Sequence, residues 1–347
     1  MDSKETIALP PNQAAPSTGH RDEPQTRLDL NRIRAAIPKI APVFRNTPQY
    51  ACPALGEALD CELIVKLETA NPVRCFKGRG TETVMARLAD GPGLRSAVCA
   101  SVGNLGQALA WSGQSRGIAV TVVAGARASP LKLERIRALG ATVRIVDGDI
   151  EEARLLARRM AVNEGAFLVE DSENLDTCEG AGTIGLELIE NAGPVDAVLI
   201  ALGGGAMATG VGHVFKCLAP EVEIVCVQPR GAPAMTLSFR AKTVVETESI
   251  DTIADGVAGR RPIPAVLGDL LAVADHVPLV EEESIIAGMR MLYRHAGLVV
   301  EPSAALGVAA MLEDRSRYRG KRVVTIICGT NVAPADFERW VLGQGGE

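Results

Sequence analysis

The stretch AVLIALGGGAMATGVGHVF (197–215) decides how this chain folds. Ala197–Leu202 is apolar throughout, as a strand covered on both faces must be. Gly203, Gly204 and Gly205 turn the chain, and a helix is expected from Ala206. Such a turn aims backbone N–H groups outward at the positive end of a helix and makes an anion site. Three consecutive glycines exceed what a plain tight turn needs, so the reading favours a phosphate held by backbone. The spacing is not G-x-G-x-x-G and no Gly-Lys-Ser/Thr follows, so neither a dinucleotide fold nor a Walker loop is indicated.

The same strand–turn–helix unit repeats in both directions. Apolar, β-branched runs stand at 63–67, 97–101, 118–123, 142–146, 166–169, 197–202, 223–228 and 322–328. Helical patterns lie at 78–90, 104–116, 130–139, 150–163, 180–191, 206–217, 281–295 and 303–313. Strands alternating with helices predict an α/β fold of open, mostly parallel twisted sheets with crossover helices on both faces. Residues 1–27 are polar, Pro-rich and aperiodic, and read as a disordered tail. A helix is expected from near Leu28, with Ile33, Ile37 and Ile40 on its apolar side.

Composition narrows the class. The chain has 347 residues, 47% apolar and 22% charged, enough for two ordinary cores. Its 35 glycines outweigh its 2 Trp, 3 Tyr and 6 Phe, which suits tight turns and close backbone approach better than base stacking. With 36 Lys+Arg against 42 Asp+Glu the net charge is −6, so a nucleic-acid partner is not expected. No apolar run reaches the ~18 residues of a membrane span, and the N-terminus lacks the apolar core of a signal peptide. Eight cysteines without a C-x-x-C read as free thiols in a reducing, cytoplasmic setting. The four histidines have no zinc-ligand spacing, so no metal is expected.

Other segments carry chemistry less decisively. In CFKGRG (75–80), Lys77 falls at a helix start, where a cation is unfavourable. That placement makes sense for an amine that must be neutral or form an imine; a solvated loop lysine is the plainer reading. In SVGNLGQ (101–107), Ser101 and Asn104 lead a helix and could hold a small anion, or simply cap the helix. CGTN (328–331) ends the last strand, and Glu301 before Pro302 reads as a helix cap. Gly113–Gly117 (GQSRG) fits the hydrolase pattern G-x-S-x-G, but a helix runs in and a strand follows, the reverse of what that motif needs.

Taken in order, these pieces resemble the fold-type II pyridoxal-phosphate enzymes, in particular the threonine/serine dehydratases and the related serine racemases. CFKGRG is similar to the family's Ser-Phe-Lys-x-Arg-Gly, SVGNLGQ to Ser-x-Gly-Asn-His-x-Gln, GGGAM (203–207) to its tetraglycine loop, and CGTN to Ser-Gly-Gly-Asn. IADGVA (253–258), EPSAALGVAAM (301–311) and SPLKLERIRALGATV (129–143) also look like family sequence, so the resemblance covers about 28–340.

The resemblance implies a tryptophan synthase β-like fold. A large cofactor-binding domain would comprise 28–96 plus 173–347, and a small domain 97–172. It implies that Lys77 holds pyridoxal 5'-phosphate as a Schiff base and then removes the α-proton of an amino-acid substrate. Phe76 would pack beside the ring, and Gly203, Gly204, Gly205, Ala206 and Met207 would bind the phosphate. Asn104 would meet the ring hydroxyl and Cys328 the pyridine nitrogen. Ser101, Val102, Gly103, Asn104 and Leu105 would hold the substrate. A thiol is a weak, neutral partner, which favours β-elimination over transamination. Val102 stands where the racemases carry a proton-donating serine, which argues against racemisation. Leu105, Ala206 and Thr330 also depart from the family pattern, and Gln228–Pro233 lacks its acidic metal ligands. The implied activity is a dehydratase or ammonia-lyase acting on a small hydroxy- or amino-substituted amino acid such as threonine or serine, in a homodimer. A β-replacement synthase and a non-catalytic cofactor or amino-acid sensor are the alternatives.

Overall fold

The computed structural model describes residues 25–91, 96–101, 103–126 and 128–343. Residues 1–24, and with them most of the expected tail, lie outside the described residues. Thr26 and Arg27, assigned to that tail on polarity, are instead tied down. Arg27 donates from its backbone N and its Nε to the two oxygens of Asp269, each at 2.8 Å. Its two Nη groups reach the carbonyls of Glu173 and Ser172, both at 3.2 Å. A buried carboxylate over two hundred residues away recruits this arginine, and no local pattern reveals that.

Ten strands occur among the described residues: β1 (Gln49–Ala51), β2 (Glu62–Leu67), β3 (Ser96–Ala100), β4 (Ala119–Gly125), β5 (Thr142–Val146), β6 (Phe167–Leu168), β7 (Ala197–Ala201), β8 (Glu223–Pro229), β9 (Leu279–Val280) and β10 (Arg322–Ile327). They form a six-stranded sheet in the order β1-β2-β10-β7-β8-β9 and a four-stranded sheet in the order β5-β4-β3-β6. All pairings are parallel except β1 with β2. The architecture is the predicted α/β fold with two open, mostly parallel sheets.

In the larger sheet the chain steps outward from β7 to β8 and β9, whereas β10 joins the opposite side of β7. In the smaller sheet β4 and β5 lie on one side of β3 and β6 on the other. Each sheet therefore has a point where strand order reverses, and a crevice opens there at the carboxyl ends of the strands. The segments leaving β7 and β10, and those leaving β3 and β6, supply residues that line it.

The larger core gathers Leu63, Val65, Leu199, Ile200, Val225, Val324 and Ile326 from four of its strands. The smaller core gathers Cys99, Leu109, Val122 and Ile136. Helix Lys77–Asp90 serves both sheets. Its Val84, Met85 and Leu88 join the smaller core, while Gly80 backs onto Thr177 so closely that a Cβ would sit 2.8 Å from the Thr177 carbonyl oxygen.

The observed elements differ from expectation mainly at ends. The first helix is Leu30–Ala36, capped by Asp29 accepting from Arg32 N at 2.8 Å, and Pro38 turns its continuation into a 3-10 turn. The helix expected from 180 begins at Leu175, because its poor helix formers are packed face to face with helix Ala206–Leu218. A Cβ on Gly210 there would lie 2.1 Å from the Cys178 carbonyl oxygen. The short β1 and β9 and the helices Pro53–Ala58, Ala234–Ala241 and Pro264–Val273 were not expected. Such short pieces are held by neighbours rather than by a periodic pattern.

Candidate active site

Lys77 is the first residue of helix Lys77–Asp90, at its positive end. Two residues on, Arg79 fixes that end. It is fully buried, and its guanidinium donates to Glu68 Oε2 at 2.7 Å and Oε1 at 2.8 Å, to Glu187 Oε1 at 2.7 Å and Oε2 at 2.9 Å, and to the hydroxyls of Thr183 and Thr47. Lys66 adds a second buried cation, 2.5 Å from Glu187. Two cations and two carboxylates thus pair with one another, so no charge in the cluster is buried alone. Burial would push the Glu187 carboxyl up, but Arg79 and Lys66 pull it down to about 2.

With its backbone fixed, the Lys77 side chain is half-buried, its Nζ 4.5 Å from the centroid of the Phe76 ring and in an ion pair with Asp171. Asp171 follows β6, and the strand-flanking segment Asp171–Ser172 meets the glycine turn. The Ala206 N–H donates to Ser172 Oγ at 3.0 Å, so this one of the predicted phosphate-binding N–H groups is engaged within the protein. The turn itself is bare. Gly205 has φ +108°, and a Cβ on Gly204 or Gly205 would lie 2.8 Å from Ser172 Oγ or 2.6 Å from Val266 Cγ1.

Opposite the turn, Asn104 opens helix Asn104–Gln114. Its Nδ2 donates to Glu301 Oε1 at 2.8 Å, and its Oδ1 accepts from Asn331 Nδ2 at 2.8 Å. Asn331 N donates to Glu301 Oε2 at 3.1 Å. Glu301 does hold the expected N-cap position before Pro302, but its carboxyl makes no cap bond: it turns inward and joins the Asn loop to the CGTN loop. Burial pushes the Glu301 carboxyl up, an effect that Lys132 and the two asparagine donors oppose. Beside it, burial and Glu301 hold the Cys328 thiol well above its ordinary value, and Cys75 is pushed up to about 12. Ser101 accepts from the N–H groups of Gly103 and Gly106 at 3.1 and 3.0 Å. Its oxygen thus caps the helix, which leaves its O–H as a donor.

These groups enclose one crevice. A cavity of about 140 Å³ is lined by Lys77, Ser101, Gly103, Asn104, Leu105, Gly203 and Gly204. It adjoins a smaller one of about 40 Å³ bounded by Phe76, Lys77, Asn104, Gly203, Gly204, Gly205, Ala206, Met207 and Cys328. Every predicted site residue is thereby brought together except Val102, which lies outside the described residues. Sequence reasoning missed Asp171, Ser172 and Ser303. It also missed Arg154 and Arg261, which line the cavity and pair with Glu151 and Glu246 at 2.8 and 3.3 Å. A neighbouring cavity of about 280 Å³ shares Asp171 and both arginines. The only clue to Asp171 was its place at a strand end.

A phosphorylated pyridine aldehyde fits this site on three observations. The glycine turn leaves backbone where a side chain would clash. Ser303 Oγ, at the wall of the smaller cavity, and Asp171 Oδ1 are buried with no hydrogen-bond partner. A lysine amine stands at the junction of both cavities. Among the described residues no group of three His, Cys, Asp or Glu could hold a metal ion.

The family model described as "Pyridoxal-phosphate dependent enzyme" matches residues 40–329. The chain is 32% identical over 319 residues to an L-threonine ammonia-lyase of Thermotoga maritima, covering 92% of this chain and 79% of that protein. It is 30% identical over 314 residues to a serine racemase of Oryza sativa subsp. indica, covering 88% and 91%. The structure of the processed form of threonine deaminase isoform 2 from Solanum lycopersicum superposes with a TM-score of 0.84 at 26% identity, covering 93% of this chain and 96% of that one.

Proposed function

The chain belongs to the pyridoxal-phosphate dependent enzymes, in the group that holds the threonine dehydratases and serine racemases. From that premise we propose that it is a lyase. It removes water or ammonia from a small β-hydroxy or β-amino amino acid and gives a 2-oxo acid and ammonia.

The observation that carries the elimination reading is Cys328, a buried thiol on the wall of the cavity that Lys77 enters. Its burial keeps it protonated and neutral. When bound, pyridoxal phosphate supplies an electron sink for the charge that develops at the substrate α-carbon. A neutral thiol at that wall would leave the sink weaker than a carboxylate would, which favours rapid loss of a β-leaving group.

The chain's own residues divide the remaining work. Lys77 would hold the cofactor through its amine and would serve as the base for the α-proton. The N–H groups of Gly203, Gly204, Gly205 and Met207 are assigned to the phosphate. Asn104, braced by Glu301 and Asn331, is assigned to the ring hydroxyl. The Ser101 hydroxyl and the start of helix Asn104–Gln114 are suited to the substrate carboxylate. Valine at 102 has no proton to deliver to the opposite face, which supports elimination over racemisation. No disulfide joins the eight cysteines, in keeping with a cytoplasmic enzyme, and a homodimer is the proposed assembly.

The test is direct. The purified protein should show a visible absorbance band from cofactor bound at Lys77, absent in Lys77→Ala. It should release 2-oxo acid from serine, threonine or 2,3-diaminopropionate. A band that survives Lys77→Ala overturns the attachment site. Racemisation of serine faster than 2-oxo acid release overturns the elimination reading.

A further inference from the structure

We propose that Asp171 is a positioning residue for Lys77: its carboxylate is the dock that holds the lysine amine whenever that amine is not attached to the cofactor. The inference rests on the proposed function for its catalytic consequence, while the docking itself stands on the structure.

A lysine released from a cofactor is a point charge on a flexible four-carbon stem. To act as a base it must stay within hydrogen-bond reach of the proton it takes, and small displacements are expensive. The structure gives this amine one carboxylate partner. Lys77 Nζ forms an ion pair with Asp171 Oδ2. Among the described residues Asp171 has no other ion-pair partner, and its Oδ1 is buried without one. The two arginines on the same cavity wall are engaged by Glu151 and Glu246. A carboxylate left there alone is costly, so its attraction falls on Lys77.

Asp171 can serve as a dock because the chain beside it does not move freely. Ser172 is held at φ +70°. Its N–H donates to Thr177 Oγ1 at 3.1 Å, its Oγ accepts from Ala206 N at 3.0 Å, and its carbonyl accepts from Arg27 Nη2 at 3.2 Å. Lys77 is fixed from the other side by the Arg79 cluster. Both ends of the ion pair are therefore anchored through backbone, one in each half of the crevice.

The test compares Asp171→Asn and Asp171→Glu with wild type. In the full chain stripped of cofactor, acetic anhydride labelling of Lys77, mapped by peptide mass, should be faster in Asp171→Asn by about threefold or more and near wild type in Asp171→Glu. In the loaded enzyme Asp171→Asn should lower kcat about ten- to a hundredfold with KM within about threefold. The isotope effect with α-deuterated substrate should rise, and Asp171→Glu should restore part of the rate. Unchanged Lys77 labelling overturns the dock. Unchanged kcat and isotope effect, or a raised KM at constant kcat, overturns the positioning role, the latter because Asp171 would then be meeting substrate. If wild type turns over no amino acid, the lyase reading fails while the labelling result still decides the dock.

Discussion

At Lys77 two demands meet. Its ammonium is unfavourable at a helix start, yet the helix is what fixes its backbone. The conflict is settled by the neighbouring Phe76 ring and the Asp171 carboxylate. Lys77→Ala should lower kcat by about a hundredfold or more, measured as 2-oxo acid release. Cys328 makes the complementary prediction. Cys328→Ser should keep elimination as the main reaction, since one neutral group replaces another. Cys328→Asp should shift the product ratio toward transamination, read by following amino-group transfer to an added 2-oxo acid. The sequence exposed both residues through their neighbours, Phe76 and Gly329. It hid Asp171, which stands in no motif and is brought to Lys77 from ninety-four residues away.

The elements that hold the site are turns and helix starts, and their glycines are individually testable. Gly205→Ala places a side chain at φ +108°, 2.6 Å from Val266 Cγ1. It should cost about 1–2 kcal/mol in the turn, seen as faster loss of cofactor on dialysis. Helix Lys77–Asp90 depends on Arg79. Arg79→Met leaves Glu68 and Glu187 buried with one cation between them, and should cost about 3–5 kcal/mol in urea unfolding. The strand–helix alternation was legible in the sequence because fully covered parallel strands are apolar throughout. Helix Leu175–Asn191 was legible from Gly180 onward. Its first turn carries Asp176, Thr177 and Cys178, weak helix formers held by the close crossing with helix Ala206–Leu218 rather than by helix propensity.

Across the whole molecule, the buried ionic cluster couples stability to pH. Glu187 titrates at about 2 in the folded chain against an ordinary 4.5. Its stabilisation is therefore fully present above about 4.5 and is lost as pH falls toward 2. The Glu301 carboxyl is displaced the other way by burial, so its contribution is present at low pH and lost as pH rises past the ordinary carboxylate range. Glu187→Gln should flatten the acid side of a plot of urea midpoint against pH, and Glu301→Gln should flatten the neutral side. Arg27 belongs to the same scale: polarity marked it as tail, but Asp269 and Ser172 anchor it. The sequence by itself determined the parallel α/β class, the glycine turn and the order of the four loops. Those follow from local rules: apolar covering of strands, backbone freedom at glycine and the chemistry of a lysine at a helix start. Tertiary structure alone decided that Glu301 braces Asn104, that Ser172 meets the turn and that Asp171 receives Lys77. Each is a pairing of buried or half-buried polar groups from distant segments. Burial makes an unpaired charge expensive, and only the folded chain determines which distant group comes near enough to answer it.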